Sequence, residues 1–200
     1  MTARSDPRDI RVEFPTEADA ALHRAVHRVL TAVVELGGAV GWLHVPTEEE
    51  TAGWLEAELA LAASGRGGFA AAHLDGRLEA MGVWGRFSPP VIAQNAEVRK
   101  VMTHPDVGRR GLARLVMTSL ADHARAAGIE TLLLDCRGNN HGAQALYESL
   151  GWVEYGRIPE FIAVHGHRWD RVCYYLRLQT PAGVELHGSA PVGLGASRRG

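Results

Sequence analysis

Apolar residues recur at helical spacing in three stretches of this chain and alternate with polar ones in several others, which predicts an α/β chain. Leu22, Val26, Val29, Leu30, Val33 and Val34 share one helical face that stops at Gly37-Gly38, and Thr16-Glu17-Ala18-Asp19 reads as its start. A second helix is expected from Thr47, where three glutamates suit the positive helix end, to Gly65. A third follows Gly111, carries Leu112, Leu115, Val116, Leu120 and Ala124 on one face, and ends at Gly128. Strands are expected at 10–14, at 69–74 and 78–86 around the Asp75-Gly76 turn, at 96–103, at 130–136, and near 152–156 and 171–178. The stretch 157–169 reads as a loop.

The domain expected from this pattern runs over residues 10–179, after a flexible N-terminus (1–9) and before a tail (180–200) whose Pro, Gly, Ser and Ala lack periodicity and predict disorder. At 200 residues the chain is long enough to bury one good core. With 21 basic against 23 acidic residues the net charge is −2, which argues against a general nucleic-acid or membrane-surface binder. No apolar run is long enough to cross a bilayer, and residues 1–7 lack a signal peptide's apolar core. The two cysteines, Cys136 and Cys173, lie in strand-like runs, so two reduced, buried thiols and a cytoplasmic location are expected.

Two glycine-bearing turns carry the chemistry. In the first, the strand ending at Val101-Met102-Thr103 runs through Pro105 into Gly108-Arg109-Arg110-Gly111-Leu112-Ala113-Arg114 and directly into a helix. Unpaired N–H groups and a partial positive charge make a helix start an anion site, and Arg109, Arg110 and Arg114 add donors. The second turn follows Cys136, where Asn140 opens a short helix with Ala143, Leu146, Tyr147 and Leu150 on one face before Gly151-Trp152. A solvated basic helix start and an ordinary core tyrosine are the bland alternatives for the two segments taken singly.

Together the segments resemble the GNAT acyltransferase superfamily, whose cofactor loop has the form Q/R-x-x-G-x-G/A and whose following block reads N-x-x-A-x-x-L-Y-x-x-x-G-F. The resemblance covers roughly residues 10 to 178, with one departure: Gly108 stands where the loop usually begins with Gln or Arg. Residues 96–102 and 156–161 look most like the tabtoxin-resistance acetyltransferases. The resemblance implies a GNAT fold: a mixed, mostly antiparallel sheet with a splayed central parallel pair and helices on both faces. It implies acetyl-CoA as cosubstrate and no metal. The pyrophosphate would be held by the N–H groups of Arg109, Arg110, Gly111, Leu112, Ala113 and Arg114. The pantetheine arm would lie along the strand at Val101, Met102 and Thr103, with Asn140 and Tyr147 beside it.

Acyl transfer to an amine needs a neutral nucleophile and a protonated leaving group. Glu97 is the candidate base acting through water, against the bland reading of an exposed strand-edge glutamate. Tyr147 resembles the residue that protonates the departing sulfur, and Asn140 either caps its helix or bonds the pantetheine. His23 and His27 are four apart on a helix, but no third ligand is in evidence, and solvent-facing histidines are expected. Trp42, Trp54 and Trp169 either line the acceptor pocket or fill the core. Asp135 and Arg137 flank the end of the strand at 130–136, so either could reach an acceptor. The expected acceptor is a small-molecule, amino-acid-like or antibiotic-like amine, with neither nucleic acid nor membrane as partner and a homodimer left open. Acetylation of a protein lysine or N-terminus, and a non-catalytic acyl-CoA sensor, stand as alternatives.

Overall fold

The computed structural model describes residues 9–38 and 40–178; the expected tail (180–200) and nearly all of the expected flexible N-terminus lie outside them. Seven strands form one sheet in the order β1-β2-β3-β4-β5-β7-β6: β1 (Ile10–Glu13), β2 (Gly67–Leu74), β3 (Arg77–Arg86), β4 (Asn95–Thr103), β5 (Thr131–Arg137), β6 (Val153–Val164) and β7 (His167–Arg177). Every pairing is antiparallel except β4 with β5. Helices α1 (Ala20–Glu35) and α2 (Glu48–Ala63) cover one face; α3 (Leu112–Ala126) and α4 (His141–Ser149) cover the other. The expected fold class holds.

Local chemistry explains the boundaries. Asp19 caps α1, accepting from the Ala21 and Leu22 N–H groups at 3.0 and 2.8 Å. Thr47 and Glu50 form a reciprocal capping box on α2. Helix α3 ends with Gly128 at φ +78, so that the Ile129 N–H reaches back to the Ala124 carbonyl at 3.0 Å. Asp75 and Gly76 both take positive φ and close the β2–β3 hairpin.

Each face of the sheet buries its own core. Val26, Val29 and Leu30 of α1 and Leu55 and Leu59 of α2 meet Phe69, Met81, Val83 and Met102. Leu112, Val116, Met117 and Leu120 of α3 meet Trp84, Leu132, Leu134, Trp152 and Tyr174. Full burial of such side chains contributes about 1.5–3 kcal/mol each, so both helical layers are held firmly to the sheet.

One expectation is corrected. Residues 157–169 are not a loop: β6 and β7 are long arms of a hairpin whose tip is His165-Gly166, at φ +47 and +80. The alternation is hidden because the register shifts between Ile158 and Ile162, where Pro159 lacks an N–H and Glu160 sits at φ +53.

Two glycines, one within α4 and one just past its end, provide opposite tests. Gly151 sits at φ +83, and a Cβ there would meet nothing nearer than 4.0 Å, so its cost to any other residue is conformational. Gly142 lies within α4 at ordinary φ with nothing near its Cβ position. Gly151→Ala is expected to destabilise by about 1–2 kcal/mol, and Gly142→Ala to stabilise by about 0.4–1 kcal/mol. Urea unfolding of both variants checks the opposite signs.

Candidate active site

The parallel pair makes the site. Strand β4 pairs with β5 only over Asn95, Ala96 and Glu97, opposite Thr131, Leu132 and Leu133. Beyond Glu97 the strands part. On its other side β4 stays joined to β3, but through a bulge: Met81 pairs with Met102 and Val83 with Arg99, leaving Lys100 and Val101 opposite Gly82 alone. Lys100 takes φ +55 at this bulge. The gap between β4 and β5 is a cleft of about 440 Å³, walled by Glu97–Thr103 on one side and by Leu134–Arg137, Asn140 and Tyr147 on the other.

Past Thr103, where β4 leaves the cleft, a short connection leads to the start of α3. Its N-cap is Gly111 at φ +82, and no side chain caps the helix, so the first N–H groups are left to solvent or a ligand. Arg109 also takes positive φ, at +62, and both arginines of the loop are exposed. A Cβ at Gly111 would meet nothing within 4 Å, so this glycine is required by its backbone angle rather than by crowding. Leu112 and Met102 bury their side chains in opposite cores and offer only main-chain groups, whereas Ala113 is half-buried. The Arg114 guanidinium donates to Ser149 Oγ of α4 at 2.7 Å, tying the two helices together. These residues fit a pyrophosphate: uncapped amides at a helix start, flanked by cations.

Along the cleft, Thr103 Oγ1 is buried without a hydrogen-bond partner. Asn140 caps α4, its side-chain oxygen accepting from the Ala143 N–H at 3.2 Å, and it also lines the cleft. Tyr147 is 8% exposed and packs on Trp152 and Tyr174. Gly151 is what fixes it: the chain reversal brings the Trp152 N–H to the Tyr147 carbonyl at 3.1 Å and the two rings into contact. Burial, with the nearby Cys136, Asp135 and Tyr174, raises the pKa of the Tyr147 hydroxyl and keeps it protonated at neutral pH. Burial also pushes the Cys136 thiol up to about 11, which disfavours a thiolate nucleophile.

The opposite wall is ionic. Glu97 and Arg99 share the face of β4 that looks toward α2. There Arg99 Nη2 donates to both carboxylate oxygens of the buried Glu58, at 2.9 and 2.8 Å, and its Nη1 lies 3.7 Å from Glu97. Trp54 Nε1 also donates to Glu58, at 3.2 Å. Sequence reasoning missed Glu58 and Arg99, because a residue of α2 and one 41 positions away carry no local signal of pairing. Asp135 accepts from Arg171 at 2.6 Å. Trp54 packs edge-on against Trp42 and Phe69 in the core; Trp42 and Trp169 instead lie under the cations Lys100 and Arg137. His23 and His27 are half-buried rather than solvent-facing, and His27 Nδ1 lies 3.0 Å from Thr51 Oγ1. Among the described residues no group of three or more His, Cys, Asp or Glu is placed to hold a metal, and no helix is long and apolar enough to cross a membrane.

The architecture is shared with solved acetyltransferase structures. A putative acetyltransferase from Salmonella typhimurium, determined with its cofactor acetyl-CoA, superposes with a TM-score of 0.74 at 21% identity, covering 88% of this chain and 98% of that one. A putative acetyltransferase from Acinetobacter baylyi ADP1 gives 0.76 at 22% identity, covering 91% and 99%. A model of the acetyltransferase (GNAT) family matches residues 39–152, which include both glycine turns, and the chain belongs to that family. A [ribosomal protein bS18]-alanine N-acetyltransferase from Salmonella typhimurium is 41% identical over 64 residues, 32% of this chain. The match spans 43% of that relative's length.

A pH dependence follows from the buried hydroxyls. Tyr174, fully buried with its Oη unpartnered, is pushed up to about 12, mainly by burial, and Tyr147 and Cys136 are raised as well. Groups raised in the folded state contribute stability that is complete below their unfolded pKa and is lost as pH rises through the folded value. The urea midpoint is therefore expected to hold at neutral pH and to fall from about pH 9–10 upward. Tyr147→Phe should flatten that fall, which a pH series of unfolding curves reads.

Proposed function

We propose that this protein transfers the acetyl group of acetyl-CoA directly to a primary amine in a ternary complex. The observation that carries the reading is the splayed β4–β5 cleft, with an uncapped helix start past the end of β4, the protonated Tyr147 hydroxyl on one wall and Glu97 on the other. Acetyl-CoA supplies the activated thioester; the amides of residues 109–114 hold its pyrophosphate, and the free edge of β4 at Val101–Thr103 pairs with its extended amide arm. Glu97 takes the amine's proton, through water. The amine nitrogen bonds to the acetyl carbon, the carbon–sulfur bond breaks, and Tyr147 gives its proton to the departing sulfur. No cysteine acyl-enzyme is needed, in keeping with the raised Cys136 thiol.

The acceptor we favour is a small, amino-acid-like amine, as the tabtoxin-resistance likeness of residues 96–102 and 156–161 suggests. The partial match to a relative named for the alanine of a ribosomal protein supports a second reading, a protein N-terminus. Two reduced, buried thiols suit the cytoplasm, where acetyl-CoA is available.

Amine-dependent release of free CoA tests the transfer. Tyr147→Phe should bind acetyl-CoA as the wild type does and turn over about 10²-fold more slowly, at the low end for a positioned acid because a thiolate leaves well unaided. Glu97→Gln should lose most rate at low pH, where the free amine is scarce. Normal turnover by Tyr147→Phe would leave Tyr147 a core aromatic only. Tight acetyl-CoA binding with no amine supporting CoA release would favour the sensor reading.

Cofactor placement has its own test. Gly111→Glu sets a negative side chain at the helix start and strains a position at φ +82. Calorimetry is expected to show acetyl-CoA affinity reduced at least about tenfold, and unchanged affinity in a folded variant would move the pyrophosphate elsewhere.

A further inference from the structure

The ionic groups of the cleft do not cancel. Glu97 and the buried Glu58 behind it share Arg99, and Asp135 meets Arg171, so three carboxylates stand against two arginines and, once Lys100 and Arg137 are counted, against four cations. Lys100 and Arg137 line the same cleft, and neither forms an ion pair among the described residues.

Both are held in the same way from opposite walls. The Lys100 ammonium lies 4.1 Å from the Trp42 ring centre and donates to the Val40 carbonyl. The Arg137 guanidinium lies 5.8 Å from the Trp169 ring centre and donates to the Gly37 carbonyl at 3.2 Å. The two carbonyls belong to the connection between α1 and α2, so both cations converge on one short segment. Rings and carbonyls orient a cation without neutralising it. Arg137 Nε is shut off from solvent with no hydrogen-bond partner, an unsatisfied donor on a group otherwise in place. Desolvation lowers the pKa of Lys100, an effect that the nearby Glu58 carboxylate, already bonded to Arg99, offsets only in part.

Resting on acetyl transfer in this cleft, we propose that Lys100 and Arg137 form an anion subsite for the acceptor, and that the amine acetylated carries a carboxylate. The planar guanidinium over Trp169 takes the carboxylate, and the Lys100 ammonium supplies the second positive charge. Both cations line the cleft itself, whereas the 109–114 loop proposed for the pyrophosphate lies outside its lining. The carboxylate belongs either to a free amino acid or to an acidic residue next to a peptide's N-terminus.

Binding decides this without relying on turnover. Wild-type protein loaded with CoA is titrated, by its tryptophan fluorescence, with non-aromatic L-amino acids and with their α-carboxamides. A second arm compares the dipeptide amides Ala-Glu and Ala-Gln. At least one acid is expected to bind about 10- to 100-fold more tightly than its amide. The arm in which this occurs identifies the source of the carboxylate. Within Arg137→Gln the acid-to-amide ratio should fall close to one. Arg137→Lys, which keeps the charge and loses the fork, should retain a reduced preference. Lys100→Met should lower the ratio independently. Because each ratio is taken within one variant, a general loss of affinity cancels.

Acids and amides that bind alike, or do not bind, overturn the proposal, as does a preference that survives in both Arg137→Gln and Lys100→Met. Acids that bind selectively while no amine releases CoA uphold the anion subsite and sink the transfer reading. Amines acetylated without regard to a carboxylate do the reverse.

Discussion

Everything functional in this fold depends on β4 leaving β5 after three residue pairs. A strand in mid-sheet normally spends its N–H and C=O groups on both neighbours, because unpaired buried backbone polar groups are costly. Here β4 keeps β3 throughout and gives up β5 beyond Glu97, exposing a ladder edge inside the molecule rather than at its rim. The bulge at Lys100–Val101 makes the parting compatible with a packed core. It resets the alternation, so that Met102 enters the core beneath α1 and α2 while Val101 turns toward α3. Gly82, opposite the bulge, allows α3 to approach: a Cβ there would come within 3.0 Å of Leu120 and Val116. Bulge and helix contact therefore stand together, and a side chain at Gly82 would push against both Val101 of the bulge and α3.

The two glycine turns of the candidate site were legible because they are written in backbone preferences confined to a few neighbouring residues. Gly111 at φ +82 opens α3 without a side-chain cap, and Asn140 and Gly151 begin and end α4. Each of these is a local rule, readable without knowing what packs where. Tyr147 is intermediate. Its apolar helical face marked it as buried, but its place on the cleft wall depends on β5 ending beside it, which only the tertiary structure settles.

The ionic wall of the cleft was much less legible, for an equally physical reason. The Glu58–Arg99 pair joins residues 41 apart, and the Arg137–Gly37 bond joins residues 100 apart. No periodicity announces such contacts, since either partner alone reads as a solvated charge. The β6–β7 hairpin was hidden by its own irregularity: Pro159 and the positive φ of Glu160 break the two-residue period that would have revealed it. Trp54 and Trp42 show the same ambiguity. One packs on Phe69 and serves Glu58, whereas the other lies under Lys100, and nothing in the residues flanking them distinguishes the two.

This division has a consequence for how such a protein changes its substrate. The groups that would handle acetyl-CoA are largely main-chain amides, set by glycine angles and a helix end, and few side-chain replacements alter them. The groups proposed to face the acceptor are side chains brought from α2, the α1–α2 connection, β5 and the β6–β7 hairpin, each held by one or two long-range contacts. Replacing Arg137 or Trp169 changes the charge or shape of that wall while leaving the β4–β5 parting and the start of α3 intact. Family membership, which rests on the first set, therefore constrains the reaction strongly and the acceptor weakly. The excess positive charge that Lys100 and Arg137 bring to the cleft is a property of its side chains, not of the glycine motifs, and it is these side chains on which the proposed acceptor selectivity rests.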